Sequence, residues 1–523
     1  MKMRFFALFM AAVLCFGCLA MVACNTEPST DDEGTTESTA PNTPENENES
    51  ESQQTPDDPD DDPTVDPDLP SVQEEGYDGR EITIKFYHTM GQNLRDVLDI
   101  YVAEFNKLYP NIRIEHEQVG GYDDVRNQIS TEITVGNQPN IAYCYPDHVA
   151  TYNISKAVYP LDSLIDSMAI VTRADGSEEV MGLDQYQIND FIPGYYNEGK
   201  QFGDGKMYTL PLSKSTEVLY YNKTAFDNWA KLYAETGDEK YNIKVPTTWE
   251  EMEETCRKIK ALEPTSIPLG YDSEANWFIT MTEQLGTPYT SATGEHFLFN
   301  TQANRDFVKM FRGWYADGLL TTQDLYGAYT SGLFINRDPS KATSYMSIGS
   351  SAGATHQRPE KENGAYPFEV GITTVPQVDS SNPKVISQGP SLCIFDKADK
   401  QEVYASWLFV KFLTTNVDFQ AEFSMASGYV PVLKSVAENE AYAAWLNGAN
   451  GGDGIAALSA QICLTQIDAY YTSPAFNGSS TARDQVGQLM QDCFTTTLPD
   501  GKTIDQLLEE LFQAAVDKCK YLS

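Results

Sequence analysis

The side chains best suited to covalent or metal chemistry in this 523-residue chain are spaced against it. Of nine cysteines only Cys15 and Cys18 form a C-x-x-C, the spacing of redox and zinc sites, and both fall inside an N-terminal apolar run. Cys144, Cys256, Cys393, Cys463, Cys493 and Cys519 are far apart, with no pair at metal-ligand spacing. Cys256 shares a helix face with Trp249, Met252 and Ile259, and Cys144 lies in an apolar strand, so buried thiols are expected; a Cys493 to Cys519 disulfide is the alternative. No H-E-x-x-H and no G-x-x-x-x-G-K-[ST] occurs, which removes the zincins and the P-loop NTPases. Carboxylate pairs could serve a glycosidase, but a chain with 76 Asp and Glu supplies such pairs by chance, so they decide nothing.

The charge distribution sets one segment apart. Formal net charge is -40, and from Asn25 to Asp78 there are 19 acids and no Lys or Arg. That segment is Thr, Ser, Pro, Asn, Glu and Asp, too poor in apolar side chains to offset the entropy of ordering. It is expected to be an extended stalk. A calcium loop around Asp57 to Asp68 lacks the turn glycine such a loop needs. The rest holds most of the 30 Tyr, 24 Phe and 6 Trp and should fold, and its acidity without a basic stripe excludes nucleic-acid binding. Residues 1–23 carry Lys2 and Arg4, then an apolar run from Phe5, as a secretory signal does. The end, Leu19-Ala20-Met21-Val22-Ala23-Cys24, resembles the bacterial lipobox, with Met21 where leucine is usual and Cys18 as a weaker competitor. That implies diacylation of Cys24, and two acyl chains hold a protein stably on a bilayer. An uncleaved membrane helix is the alternative. The expected location is the outer face of the cell membrane, with residues 24–78 as lipidated cysteine and stalk.

Elements follow from periodicity. Residues 81–87, EITIKFY, alternate as a half-buried strand; Val97, Leu98, Tyr101, Val102, Phe105 and Leu108 recur at helical spacing until Pro110; Ile112 to Gln118 alternates again. Strand, helix and strand make a βαβ unit, hence an α/β fold with a mainly parallel sheet. The segment 133–148 repeats the scheme, its strand Ile141 to Tyr145 ending in Pro146-Asp147-His148. Ligands in such sheets bind beyond the carboxyl ends of the strands, which points to the loops at His88 to Met90 and Tyr145 to His148. Further on, Pro246-Thr247-Thr248-Trp249-Glu250-Glu251 opens a helix with Thr247/Glu250 or Thr248/Glu251 as capping box, and Gly448 to Gly454 reads as a surface loop.

The motifs YYNKTAF (220–226) and PTTWEEM (246–252) resemble the signature of the family 1 extracellular solute-binding proteins, the capture subunits of ABC importers. FYHTMG (86–91), PNIAYCYPDH (139–148), YMSIGSSAG (345–353), SQGPSLCIF (387–395) and SGYVPVLKS (427–435) match in the same order across residues 79–523. The run Lys214 to Lys223, KSTEVLYYNK, is similar to the multiple-sugar and glycerol-3-phosphate branch. The resemblance implies a two-lobed, type II periplasmic-binding-protein fold, with lobe 1 at 79–214 plus 390–429 and lobe 2 at 218–387 plus 432–523. Hinge strands would cross near Ser215, Gly389 and Tyr429, and the lobes would close on a ligand by hinge bending.

By family position the resemblance proposes His88, Tyr122, Tyr145, Asp147, Ser215, Asp272, Trp277, Ser350, Ser351, Gly389 and Tyr429 as ligand-binding residues. Aromatic faces would stack on a sugar ring, and carboxylates and hydroxyls would bond its hydroxyl groups. Packing is the competing role for the tyrosines, Trp277 and His88, a turn or helix cap for Asp147, and a plain turn for Gly389. Where the glycerol-phosphate branch carries an arginine this chain reads Ala469 to Phe476, and Arg483 falls about two helical turns on. A phosphate dianion wants such a donor, so a neutral carbohydrate is expected as ligand, with glycerol-3-phosphate or a glycerophosphodiester as alternative. No catalysis, cofactor or metal is implied. The expected partners are a carbohydrate, the permease subunits of an ABC importer and, through Cys24, the lipid bilayer, the protein acting as a monomer; an adhesin, a solute sensor or a glycosidase is the alternative of another class.

Overall fold

The computed structural model describes residues 75–336, 338, 340–448 and 454–522. The leader, Cys24, the acidic segment as far as 74 and most of the glycine cluster lie outside the described residues.

Two five-stranded sheets flanked by helices carry the chain. In the first, strand Ile82–His88 runs parallel to Ile112–Gln118 and to Ile141–Cys144; Ser391–Ile394 joins antiparallel to the last of these, and Leu210–Pro211 closes the edge. The crossover helix Gln92–Leu108 buries Leu98, Tyr101 and Phe105, spaced by three and four residues on one face. It stops where Pro110 forces Tyr109 out of helical geometry, to φ -131° and ψ 73°. Ile112 and Ile114 point inward while Arg113 and Glu115 are exposed, as the alternation requires. Strand Ile141–Cys144 is buried at every position, as a central strand covered on both faces must be.

The second sheet has the order Val370–Thr374, Glu217–Asn222, Met346–Ser350, Leu269–Tyr271, Leu320–Thr322. Glu217–Asn222 is antiparallel to both neighbours, and the last three strands are mutually parallel. Helix Trp249–Leu262 uses the Thr248/Glu251 box: Thr248 Oγ1 accepts from Glu251 N at 3.2 Å and the Glu251 carboxylate accepts from Thr248 N at 3.3 Å.

Each sheet has its own core, one around Phe86, Phe105, Trp407 and Phe409, the other around Trp249, Trp277, Phe311 and Trp314. Between them three segments lie side by side. Ser215 and Gln388 exchange backbone bonds of 2.7 and 2.9 Å, and Lys214 and Val430 exchange bonds of 3.0 and 2.6 Å. Gly389 sits at φ +105°, where a Cβ would lie 2.7 Å from the Ser213 carbonyl oxygen and 2.9 Å from Lys214 Cα. Only glycine fits where these segments press together.

Two expectations need correction. Val432, Leu433, Val436 and Tyr442, assigned above to lobe 2, pack in the first core, because Ile192 N bonds Val432 O at 2.9 Å and Phe191 bridges to Leu433. The chain touches the crossing at Val430 and turns back. Tyr77, assigned to the stalk, is buried in the same core, next to Gly76, whose carbonyl accepts from Gln401 Nε2 at 2.9 Å. All six cysteines of the described residues are buried thiols, as expected, and the alternative Cys493 to Cys519 disulfide is not formed.

Candidate functional site

A cleft opens where the two sheets present their strand ends. Its inner part is a narrow cavity of about 60 Å³ between the first lobe's Tyr145, Asp147 and Glu198 and the second lobe's Tyr289, Ser479 and Arg483. Its outer part is a cavity of about 690 Å³ walled by the second lobe, including Glu217, Asp272, Asn276, Tyr329, Ser350 and His356. Gln388 and Arg483 line both.

Tyr145 follows the buried strand Ile141–Cys144, and Pro146, at the first position of helix Pro146–Tyr152, fixes the turn that brings Asp147 to the cavity. Tyr145 is backed by Tyr122, the rings stacked at 4.4 Å and 23°. Tyr122 in turn stacks on Tyr143 at 6.5 Å, so a column of three rings holds the Tyr145 face still. Asp272 ends strand Leu269–Tyr271, and its Oδ1 accepts from Thr330 N and Oγ1 at 2.6 and 2.7 Å; burial raises its carboxyl above the ordinary range. Ser350 ends the parallel strand Met346–Ser350 on the same edge, where α/β sheets hold ligands.

Arg483 stands near the start of helix Ser479–Thr495, and its Nη2 donates to Asn276 Oδ1. Asn276 Nδ2 donates at 3.0 Å to Glu217 Oε1 and at 3.0 Å to Gln388 Oε1. Behind the inner cavity Lys214 Nζ forms a buried ion pair with Glu198 and donates to Ser391 Oγ at 3.0 Å and Gly389 O at 3.3 Å.

Of the residues singled out by sequence, Tyr145, Asp147, Asp272 and Ser350 line the cavities. Tyr122 stands behind Tyr145 and next to Tyr429, lining neither cavity. The others line neither cavity. His88 is fully buried, its Nδ1 accepting from Met90 N at 3.1 Å and its Nε2 2.9 Å from His116 Nδ1; burial lowers its pKa to about 3. Trp277 is fully buried against Tyr271, rings 4.7 Å apart, because it lies on the core face of helix Glu274–Leu285. Ser215 and Gly389 are spent on the crossing. Ser351 Oγ accepts from Thr216 N at 3.2 Å in the core. Gly349-Ser350-Ser351-Ala352-Gly353 spells the G-x-S-x-G of nucleophile-elbow hydrolases, but that buried serine leads into a 3-10 segment, so the exposed strand-to-helix elbow is not built. Among the described residues no three His, Cys, Asp or Glu are grouped to hold a metal ion.

Sequence reasoning missed Glu217, Asn276, Gln388 and Arg483. Glu217 and Gln388 lie inside the quoted motifs, one or two residues from Ser215 and Gly389. Arg483 was set aside as too far along the chain, yet the packing of its helix against Glu274–Leu285 delivers it to the cleft.

Residues 101–449 match the family described as bacterial extracellular solute-binding protein. The chain belongs to that family. The sn-glycerol-3-phosphate-binding periplasmic protein UgpB of Shigella flexneri serotype 5b is 26% identical over 366 residues, covering 68% of this chain and 75% of that protein. In fold the chain is similar to the cyclic alpha-maltosyl-1,6-maltose binding protein of Arthrobacter globiformis, with TM-score 0.61 and 19% identity, covering 84% of this chain and 100% of that one. It is also similar to UgpB of Mycobacterium tuberculosis in complex with glycerophosphocholine, with TM-score 0.62 and 16% identity, covering 84% and 99%. The α/β fold is that of the two-lobed solute-binding proteins.

Proposed function

We propose that the chain captures a carbohydrate in the interlobe cleft and delivers it to the permease of an ABC importer, with lobe closure as the signal the permease reads. The observation that carries this is the Tyr145 platform, held by Tyr122, facing a cavity lined by Asp147 and Arg483. An aromatic face stacks on a sugar ring while charged donors and acceptors bond its hydroxyls. Asp272 and Ser350 line the adjoining outer cavity, joined to it through Gln388 and Arg483. Among the residues singled out by sequence, these four are the proposed ligand contacts. The lobes divide near residues 215 and 389, with the stretch 432–446 belonging to the first.

Arg483 favours a second reading, a glycerol phosphate or its diester, since a guanidinium is a natural phosphate donor. The neutral sugar stands first because each cavity that Arg483 lines also carries a carboxylate, Asp147 in the inner and Asp272 in the outer, and these repel a dianion. Capture needs no covalent step, so the protein is a binding protein and not an enzyme, and it acts as a monomer. Diacylated Cys24 would keep it on the outer membrane face, the acidic stalk holding the lobes clear of the bilayer.

Thermal unfolding against mono- and oligosaccharides, glycerol-3-phosphate and glycerophosphodiesters tests the reading. A ligand at one hundred times its Kd adds about 2.7 kcal/mol. We expect a clear upward shift with a neutral sugar that disappears in Asp147→Ala. A shift with phosphates alone selects the second reading, and no shift from folded, ligand-free protein rejects both.

A further inference from the structure

We propose that Glu217, at the floor of the outer cavity, is a positioning residue: it holds the Asn276 amide so that Arg483 is aimed into the cleft, and its protonation makes ligand affinity depend on pH. The identity of the ligand rests on the carbohydrate reading above; the network itself does not.

The geometry is directional. Glu217 is buried, with 1% of its surface exposed, and its two oxygens accept from Tyr271 Oη at 2.5 Å and Asn276 Nδ2 at 3.0 Å. An amide has one donor end and one acceptor end. With Nδ2 committed to Glu217 and to Gln388 at 3.0 Å, Oδ1 must face Arg483, whose Nη2 it accepts. Turning the amide over would set its oxygen against two acceptors and its NH2 against a guanidinium. An ionised Glu217 therefore locks Asn276, and Asn276 locks Arg483.

Protonation weakens this without breaking it: with the proton toward Tyr271, Oε1 still accepts from Asn276 Nδ2, but as a neutral oxygen. A carboxylic acid carries a donor where the carboxylate had an acceptor, and Asn276 Nδ2 cannot accept it. The proton must sit toward Tyr271, a fully buried side chain whose own hydroxyl then has to turn away. The charge that draws Arg483 inward is lost as well.

The surroundings keep the two states close in energy. Asp272 comes from the end of strand Leu269–Tyr271, Arg483 from helix Ser479–Thr495 and Tyr471 from strand Tyr470–Tyr471, and His356 lines the same cavity. The crossing contributes Gln388 and the paired strand Ser350, neither charged. Burial, and then Asp272, favours the acid, whereas Tyr271, Asn276 and Arg483 favour the carboxylate; the balance falls at about 7. Glu198, the other buried carboxylate of the cleft, is paired with Lys214.

The test measures maltotetraose and glycerophosphocholine affinity by calorimetry at pH 6 and pH 8. Wild type is expected to bind about fivefold more tightly at pH 8, Glu217→Gln, which keeps an acceptor for Asn276 but cannot titrate, to be flat, and Glu217→Ala to bind about tenfold more weakly at both pH values. Parallel profiles for wild type and Glu217→Gln, or an unimpaired Glu217→Ala, overturn the proposal. If neither probe binds, the functional reading fails separately and ligand-free protein decides. A raised folded-state pKa stabilises the fold fully below about 4.5 and loses that contribution as pH rises through about 7. The melting temperature of wild type should then fall relative to Glu217→Gln between pH 5 and pH 8, and superimposable curves overturn the proposal.

Discussion

Lys214→Met lowers the stability of the protein by about 3–5 kcal/mol, the cost of leaving a buried charge unpaired. Lys214 is fully buried and Glu198 nearly so, with side-chain exposures of 0% and 3%. The ammonium is also the donor to Ser391 Oγ and Gly389 O, so methionine strands a carbonyl and leaves the Glu198 carboxylate only the Ser391 hydroxyl, at 3.5 Å. Coulomb attraction offsets desolvation here only while both partners are present. Hence Lys214→Met/Glu198→Met, with apolar side chains of similar length, should recover most of the loss. Denaturant unfolding of the two variants beside wild type checks both halves. An equal loss in single and double variants would mean that the site depends on something other than the pair.

Arg483→Met weakens carbohydrate binding by about ten- to a hundredfold, since hydrogen bonds from a charged donor contribute about 1.5–3 kcal/mol. The guanidinium lines both cavities, and among the described residues its hydrogen-bond partner is the neutral amide of Asn276. Methionine keeps the unbranched stem, so the melting temperature of unliganded protein should move by only a few degrees. Calorimetric titration and thermal unfolding of one preparation separate the two effects. Unchanged affinity with unchanged stability would remove Arg483 from the site.

Much of the scaffold was legible because its signals are local. The alternation of Ile112 to Gln118, the helix closed by Pro110 and the Thr248/Glu251 box each follow from contacts within a few residues. The site was legible only to within a residue. Trp277 was singled out, but its neighbour Asn276 faces the cleft, because successive helix positions point about 100° apart. Ser350 and Ser351 divide in the same way between cavity wall and core. Arg483 and the return of Val432 to the first core depend on tertiary packing, which spacing along the chain does not encode. Glu217 lay inside the quoted run KSTEVLYYNK, where nothing but its charge marked it.

The central claim is that ligand lies between the lobes, against the Tyr145 face and within reach of Arg483. A crystal structure of the protein with the carbohydrate that gives the largest melting shift tests it most directly. The expected result is a sugar ring stacked on Tyr145, with its hydroxyls bonded by Asp147 and Arg483. A sugar bound elsewhere on the surface, with the cleft empty at saturating concentration, would contradict it.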